Sequence, residues 1–215
     1  MIQRLFWGII YGLAIFWICN ARSWSPYLLF IPMLLICIEF IKMKKLKVWE
    51  KTFGILYVSY ASYATWSISR SSSSENLSIL FIIFVLIWIS DSMAFFGGKI
   101  FGKNPLAHSI SPNKTIEGAA IGFICTLVIG CFYLNIIDPI SEFKSINSWQ
   151  RISWALPLII SISAPFGDLI GSKFKRLASV KDSGVFLPGH GGTLDRFDSF
   201  LLSVILVQFF QSYIL

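Results

Sequence analysis

The chain is short of charge. Of its 215 residues only 13% are Asp, Glu, Lys or Arg, where a soluble domain carries about 25%. With 55% hydrophobic residues, this excludes a small water-soluble enzyme and the disordered and fibrous classes. Paired cysteines are also lacking. Cys19, Cys37, Cys125 and Cys131 lie in apolar segments with no CxxC spacing and no histidine nearby, which argues against a zinc site and suits small apolar packing residues. There is no internal repeat. No small-x-small cleavage site leading into a soluble domain follows the first apolar run, so that run reads as a span, with a cleaved signal as the alternative.

What is there is apolar length. A membrane-crossing helix needs about 20 mainly apolar residues. Seven segments qualify: Leu5–Cys19, Tyr27–Ile41, Phe53–Ile68, Leu77–Gly98, Ile116–Ile137, Trp154–Ile170 and Phe197–Leu215. The first three are short or impure, so six or eight spans remain alternatives. The fold class expected is an all-α polytopic integral membrane protein, with about seven transmembrane helices around a cytoplasm-facing polar cavity.

The cations agree with seven. With the N-terminus in the cytoplasm, 14 of the 18 Lys and Arg fall on the cytoplasmic side: Arg4, Lys42, Lys44, Lys45, Lys47, Lys51, Lys99, Lys103, Lys114, Lys173, Lys175, Arg176, Lys181 and Arg196. Arg22, Arg70, Lys144 and Arg151 fall outside. This is the asymmetry of the positive-inside rule. It also accounts for the net charge of +7, since basic loops meet anionic lipid headgroups; membrane lipids are expected partners and nucleic acid is not. The run Ser71–Asn76 reads as a flexible outer turn without function.

Two polar stretches, Asp91–Gly118 and Asp168–Asp198, interrupt the apolar pattern on that same side. They hold six of the 11 acidic residues: Asp91, Glu117, Asp168, Asp182, Asp195 and Asp198. Asp91 and Asp168 lie inside apolar segments, where an ionised side chain costs about 2.5–3.5 kcal/mol. Such a residue faces a polar cavity, binds an ion or forms an interhelical ion pair. If the sixth helix continues past the membrane surface, Asp168, Ser172 and Lys175 share one of its faces.

A glycine-rich turn, Pro188–Gly192, then precedes Asp195 and Asp198 at the start of the last span. The plain reading makes Asp195 a helix N-cap and Asp198 a complement to the helix dipole. The glycines suggest instead that backbone N–H groups approach a phosphate. Carboxylates beside such a cradle would repel phosphate unless a hard divalent cation lay between, Mg²⁺ above all. In the first stretch, Gly97, Gly98 and Gly102 loosen the chain, and Lys99, Lys103 and Lys114 supply charge. Ser111-Pro112 is expected to open a helix, with serine as N-cap and proline at its first position, and Lys114, Thr115 and Glu117 form a polar face within it. The residues thus point to a polyanion site at the cytoplasmic membrane surface, suited to phosphoryl or nucleotidyl transfer to a lipid.

The string SKFKRLASVKDSGVFLPGHGGTLDRFD, Ser172 to Asp198, resembles the signature of the phosphatidate cytidylyltransferases (CDP-diacylglycerol synthases). The matching residues are Ser172, Lys175-Arg176, Lys181-Asp182, His190-Gly191-Gly192, Asp195-Arg196 and Asp198. Asp91, Gly98-Lys99, Gly102-Lys103, Ser111-Pro112, Lys114-Thr115 and Glu117-Gly118 are similar to that family's other shared segment, and the likeness runs from about Trp88 to Phe200. Departures stand at Thr193, where an aliphatic residue is usual, at Gly171, where an acidic one is frequent, and at His108 and Ser109, which replace a proline and a cation. The chain is also shorter than most relatives, through fewer N-terminal spans. On this likeness 1–215 forms a single membrane domain, with divergent N-terminal spans over 1–76. The catalytic region is then 77–215, with cytoplasmic loops 98–115 and 172–196.

The resemblance implies that CTP and phosphatidate give CDP-diacylglycerol and pyrophosphate at the cytoplasmic side of the cell's inner (plasma) membrane. It implies Mg²⁺, with room for a second cation, on Asp168 and Asp195, with Asp198 as a further ligand. Lys175, Arg176, Lys181 and Arg196 are then candidates for the substrate phosphates, and Lys114 for either substrate. His190 would donate to a phosphate or assist pyrophosphate departure, a structural role being the alternative. Asp91, Ser111, Thr115, Glu117, Ser172, Asp182, Gly191 and Gly192 complete the implied substrate contacts, and a homodimer is the assembly suggested. Two other readings compete. A lipid-alcohol kinase would transfer the γ-phosphoryl group and release CDP; a transporter would spread charge through the bilayer depth, whereas here it gathers at one surface.

Overall fold

The computed structural model describes residues 2–19, 21, 24–71, 79–137, 146–184 and 191–211. Among the described residues each of the seven apolar segments contributes to a helix: α1 (Ile2–Cys19), α2 (Ser25–Lys42), α3 (Val48–Ser71), α4 (Ile79–Phe101), α5 (Ile116–Ile137), α6 (Ile146–Leu177) and α7 (Leu194–Phe209). Among the described residues three are long and apolar enough to cross a membrane, by length and composition: Ile79–Phe101, Ile116–Ile136 and Ser153–Leu177. The outer turn at 72–76 lies outside the described residues.

One element departs from an all-α chain. Pro105–Ala107 (β1) pairs antiparallel with Ser111–Thr115 (β2). Ser111-Pro112 therefore does not open a helix, and Lys114 and Thr115 belong to a strand. The helix begins at Ile116, where the Thr115 hydroxyl accepts the Gly118 N–H at 3.1 Å as a capping side chain does. Four of the five residues in the run S-P-N-K-T are weak helix formers, Lys114 being the exception, and the turn at 108–110, closed by Ile110 N–H donating to the Ala107 carbonyl at 3.1 Å, lets the segment pair back on β1 instead. Glu117 locks the base of this hairpin. Its carboxylate accepts the backbone N–H of Lys103 (3.1 Å) and of Asn104 (3.2 Å) and the Asn104 side-chain amide (2.7 Å).

Helix α4 packs against α5 and α6, α6 against α7, and α3 against α2 and α7. Gly118 and Gly122, one turn apart, let α5 lie against Ala94 of α4 so closely that a Cβ at either would meet it within 3 Å. Close approach through small residues is how helices associate where lipid removes the hydrophobic driving force between them. Phe84 of α4 stacks on Phe200 of α7 with ring centroids 4.2 Å apart, and Phe197 meets both edge-on. The hydroxyls of Ser163 (α6) and Ser203 (α7) share a buried bond of 2.8 Å. These contacts fix the first turn of α7 beside the last turns of α6.

Candidate active site

Helix α6 runs on to Leu177, and that extra length builds the site. Asp168, Ser172 and Lys175 lie along one side of it, each engaged. Lys114, reaching in from β2, forms an ion pair with Asp168, whose other oxygen accepts the Ser172 hydroxyl at 3.3 Å. Two turns on, Lys175 donates to Asp195 Oδ1 at 2.5 Å, with both side chains nearly buried at 12% and 13% exposure.

Asp195 sits in the first turn of α7, one residue past its opening Leu194, so it is not the N-cap. That position is held by Thr193, without a side-chain capping bond. Asp195 Oδ2 accepts the Ser183 N–H (3.0 Å) and hydroxyl (3.1 Å) and the Gly192 N–H (2.9 Å). Burial works against its charged form, but the Lys175 ammonium and these N–H groups outweigh it and hold the carboxyl below the usual carboxylate range.

The two described glycines of the turn, Gly191 and Gly192, have local reasons. Gly191 has φ +83°, where L side chains are strained, and a Cβ there would stand 3.0 Å from Asp195 Oδ2. At Gly192 a Cβ would fall 2.0 Å from the Ser183 hydroxyl. The expected phosphate cradle is corrected at Gly192, Thr193 and Leu194, because carboxylates already take those N–H groups. Gly192 donates to Asp195, while Thr193 and Leu194 donate to Glu39 of α2 at 2.6 and 3.0 Å. Helix N-terminal donors need acceptors, and here the protein supplies its own.

Asp198 is buried at 8% exposure, and its carboxylate accepts the adjacent Ser199 N–H at 2.8 Å. It packs on α6 at Gly171, where a Cβ would stand 2.6 Å from the Asp198 Cβ. An acidic side chain at 171 would need the space that Asp198 fills.

Beside Asp168 and Lys114 opens a cavity of about 540 Å³ between α4, the hairpin, α5 and α6. Its wall mixes apolar side chains (Ala94, Phe95, Leu106, Pro165) with Asp91, Lys99, Ser111, Asn113 and Thr115. The sequence-derived candidates thus divide. Asp91, Ser111, Lys114, Thr115 and Asp168 meet at this cavity, and Lys175, Asp195, Gly191 and Gly192 meet at the neighbouring turn. Glu117 instead holds the hairpin's base. The Arg176 guanidinium donates to the carbonyls of Ile110 (3.1 Å) and Val180 (3.3 Å), tying hairpin to α6. Lys181, Asp182 and Arg196 are exposed, and His190 lies outside the described residues. Two participants were missed. Ser183 gives no sequence signal of its own, whereas Glu39 carried the same one as Asp91: an ionisable residue inside an apolar segment.

Among the described residues no three acidic, histidine or cysteine groups form a ready metal centre. The donors nevertheless suit a hard cation. Asp168, Asp195 and Asp198 all offer carboxylate oxygens, two of them paired with lysines, and Asp198 is buried with no ion pair among the described residues. An unpaired buried carboxylate calls for a proton or a metal.

The family model described as "Cytidylyltransferase family" matches residues 2–214, so the chain belongs to the cytidylyltransferase family. It is 43% identical over 129 residues to a phosphatidate cytidylyltransferase of Staphylococcus haemolyticus, an alignment covering 58% of this chain and 47% of that protein. It is 44% identical to one of Staphylococcus aureus and 41% to one of Staphylococcus saprophyticus, with the same coverage. The chain thus spans about half the length of the curated relatives it matches.

Proposed function

We propose that this chain is a multi-pass phosphatidate cytidylyltransferase, transferring CMP from CTP to phosphatidate with release of pyrophosphate. The observation that carries this reading is the pair of lysine–aspartate contacts, Lys114–Asp168 and Lys175–Asp195, beside a cavity whose wall is part apolar and part charged. An amphiphilic substrate with a phosphate head suits such a wall. Family membership and the relatives named phosphatidate cytidylyltransferase support the same reaction. In this reading all seven helices cross the membrane, with the site on the cytoplasmic side, where CTP is present and where the cations gather.

The chemistry asks little of the protein covalently. A phosphatidate phosphate oxygen, already ionised at neutral pH, attacks the α-phosphorus of CTP. The new P–O bond forms as the bond from the α-phosphorus to the bridging oxygen breaks, and that oxygen leaves with pyrophosphate. No proton need be removed from the nucleophile, so catalysis rests on positioning and charge neutralisation. Lys114 and Lys175, held beside Asp168 and Asp195, are placed to neutralise phosphate oxygens. Asp168, Asp195 and Asp198 would hold Mg²⁺, which when bound would neutralise the triphosphate. The cavity's apolar wall would receive the upper acyl chains, while its charged floor keeps the phosphate near α6.

The test follows the label. Purified protein in detergent with phosphatidate and Mg²⁺ should move ³²P from the α-position of CTP into lipid and leave γ-label in pyrophosphate. Lipid labelled from γ-³²P-CTP would instead make it a kinase and overturn the proposal.

A further inference from the structure

Glu39 lies in the last turn of the apolar helix α2, and its carboxylate, buried at 8% exposure, grips an element 154 residues away. One oxygen accepts the Thr193 N–H at 2.6 Å and the other the Leu194 N–H at 3.0 Å. These are free donors at the start of α7, and an anion there is favoured by the helix dipole as well as by the bonds. The fit is close on the other side too. A Cβ at Gly184 would stand 2.8 Å from Glu39 Oε1, and one at Gly192 2.9 Å, so both glycines admit the carboxylate. Asp195 follows directly on the two residues that Glu39 holds, and its oxygens face Lys175, Ser183 and Gly192.

We propose that Glu39 is a positioning residue: by clamping the Thr193 and Leu194 N–H groups it fixes the first turn of α7 so that Asp195 and Asp198 face α6. It touches neither substrate nor the reacting atoms and acts through α7. The catalytic part of this inference rests on the cytidylyltransferase reading above; the clamp itself does not.

The experiment compares the full-length protein with Glu39→Gln, a near-isosteric change that turns one acceptor oxygen into an N–H₂ donor facing an N–H. Two readouts are taken. Backbone hydrogen exchange at residues 193–194, measured without substrate, should accelerate at least about 10-fold in the variant. In the assay with CTP and phosphatidate, kcat should fall on the order of 10–100-fold, as when a residue supporting a ligand is lost, while KM for CTP changes by less than about 3-fold. Should Glu39→Gln fail to fold, Gly184→Ala keeps the charge but crowds Oε1, and should give the same pattern more weakly. Unchanged exchange and unchanged kcat in a folded variant would overturn the proposal. So would a loss of activity that only tracks loss of folded protein. If the wild type makes no CDP-diacylglycerol, the functional reading fails, and the exchange result alone decides whether Glu39 clamps α7.

Discussion

Lys114, on the second strand of the hairpin, forms an ion pair with Asp168, 54 residues further on and inside α6. The pair ties the two polar stretches of the sequence into one site. Both side chains are little more than a quarter exposed, at 29% and 28%, so the pair is partly shielded from water. Lys114→Met should leave Asp168 without its cation at the cavity's edge. Removing one partner of a buried pair is costly because it strands the other charge. A drop in kcat/KM of at least about 10-fold, on the order of 1.4 kcal/mol or more, is expected with phosphatidate and CTP, and is checked in the same detergent assay. Activity within about 2-fold of wild type would remove Lys114 from the site.

Gly171 tests how tightly α6 and α7 are fitted. A Cβ there would stand 2.6 Å from the Asp198 Cβ and 3.0 Å from its Oδ2. Gly171→Ala should therefore displace the Asp198 side chain. Overpacking of this kind costs about 1–3 kcal/mol, read as a lowered melting temperature in detergent together with reduced turnover. A variant as stable and active as wild type would mean that α6 and α7 are less closely packed than described.

The Lys175–Asp195 pair sets a pH dependence. The Asp195 carboxyl is held below its usual range by Lys175 and two backbone N–H groups, against the effect of burial. A depressed folded-state pKa contributes stability that is present above the unfolded value, about 3.9 for Asp, and lost as pH falls through the folded value. The stability difference between wild type and Asp195→Asn should thus be constant from pH 8 to about pH 5 and shrink only in stronger acid. Thermal melts across that range check it, and a difference that already disappears near pH 6 would contradict the pairing.

Much of this was legible in the residues. Apolar length places seven helices nearly where they occur, with the Ile116–Ile137 bounds unchanged, because helix-forming apolar runs leave the chain few alternatives. The helical spacing of Asp168, Ser172 and Lys175 anticipates the side of α6 that meets Lys114 and Asp195. Ser111-Pro112 misled because its capping pattern is weaker than the hairpin pairing of 105–107 with 111–115; Thr115, not Ser111, caps the helix. The glycine turn misled in another way. Its flexibility was visible, but not that Asp195 and Glu39 would take the N–H groups of Gly192, Thr193 and Leu194. Glu39 reaches that turn from α2, and only tertiary packing brings the two together.

The central claim is that the carboxylates at the α6–α7 junction serve cytidylyl transfer, and Asp195 tests it most directly. Wild type and Asp195→Asn, purified in detergent, would be given phosphatidate, CTP and Mg²⁺, with pyrophosphate and CDP-diacylglycerol followed together. The wild type should give equal amounts of the two products, and the variant, still folded, should lose at least about 100-fold. Undiminished product from Asp195→Asn would contradict the assignment of this site.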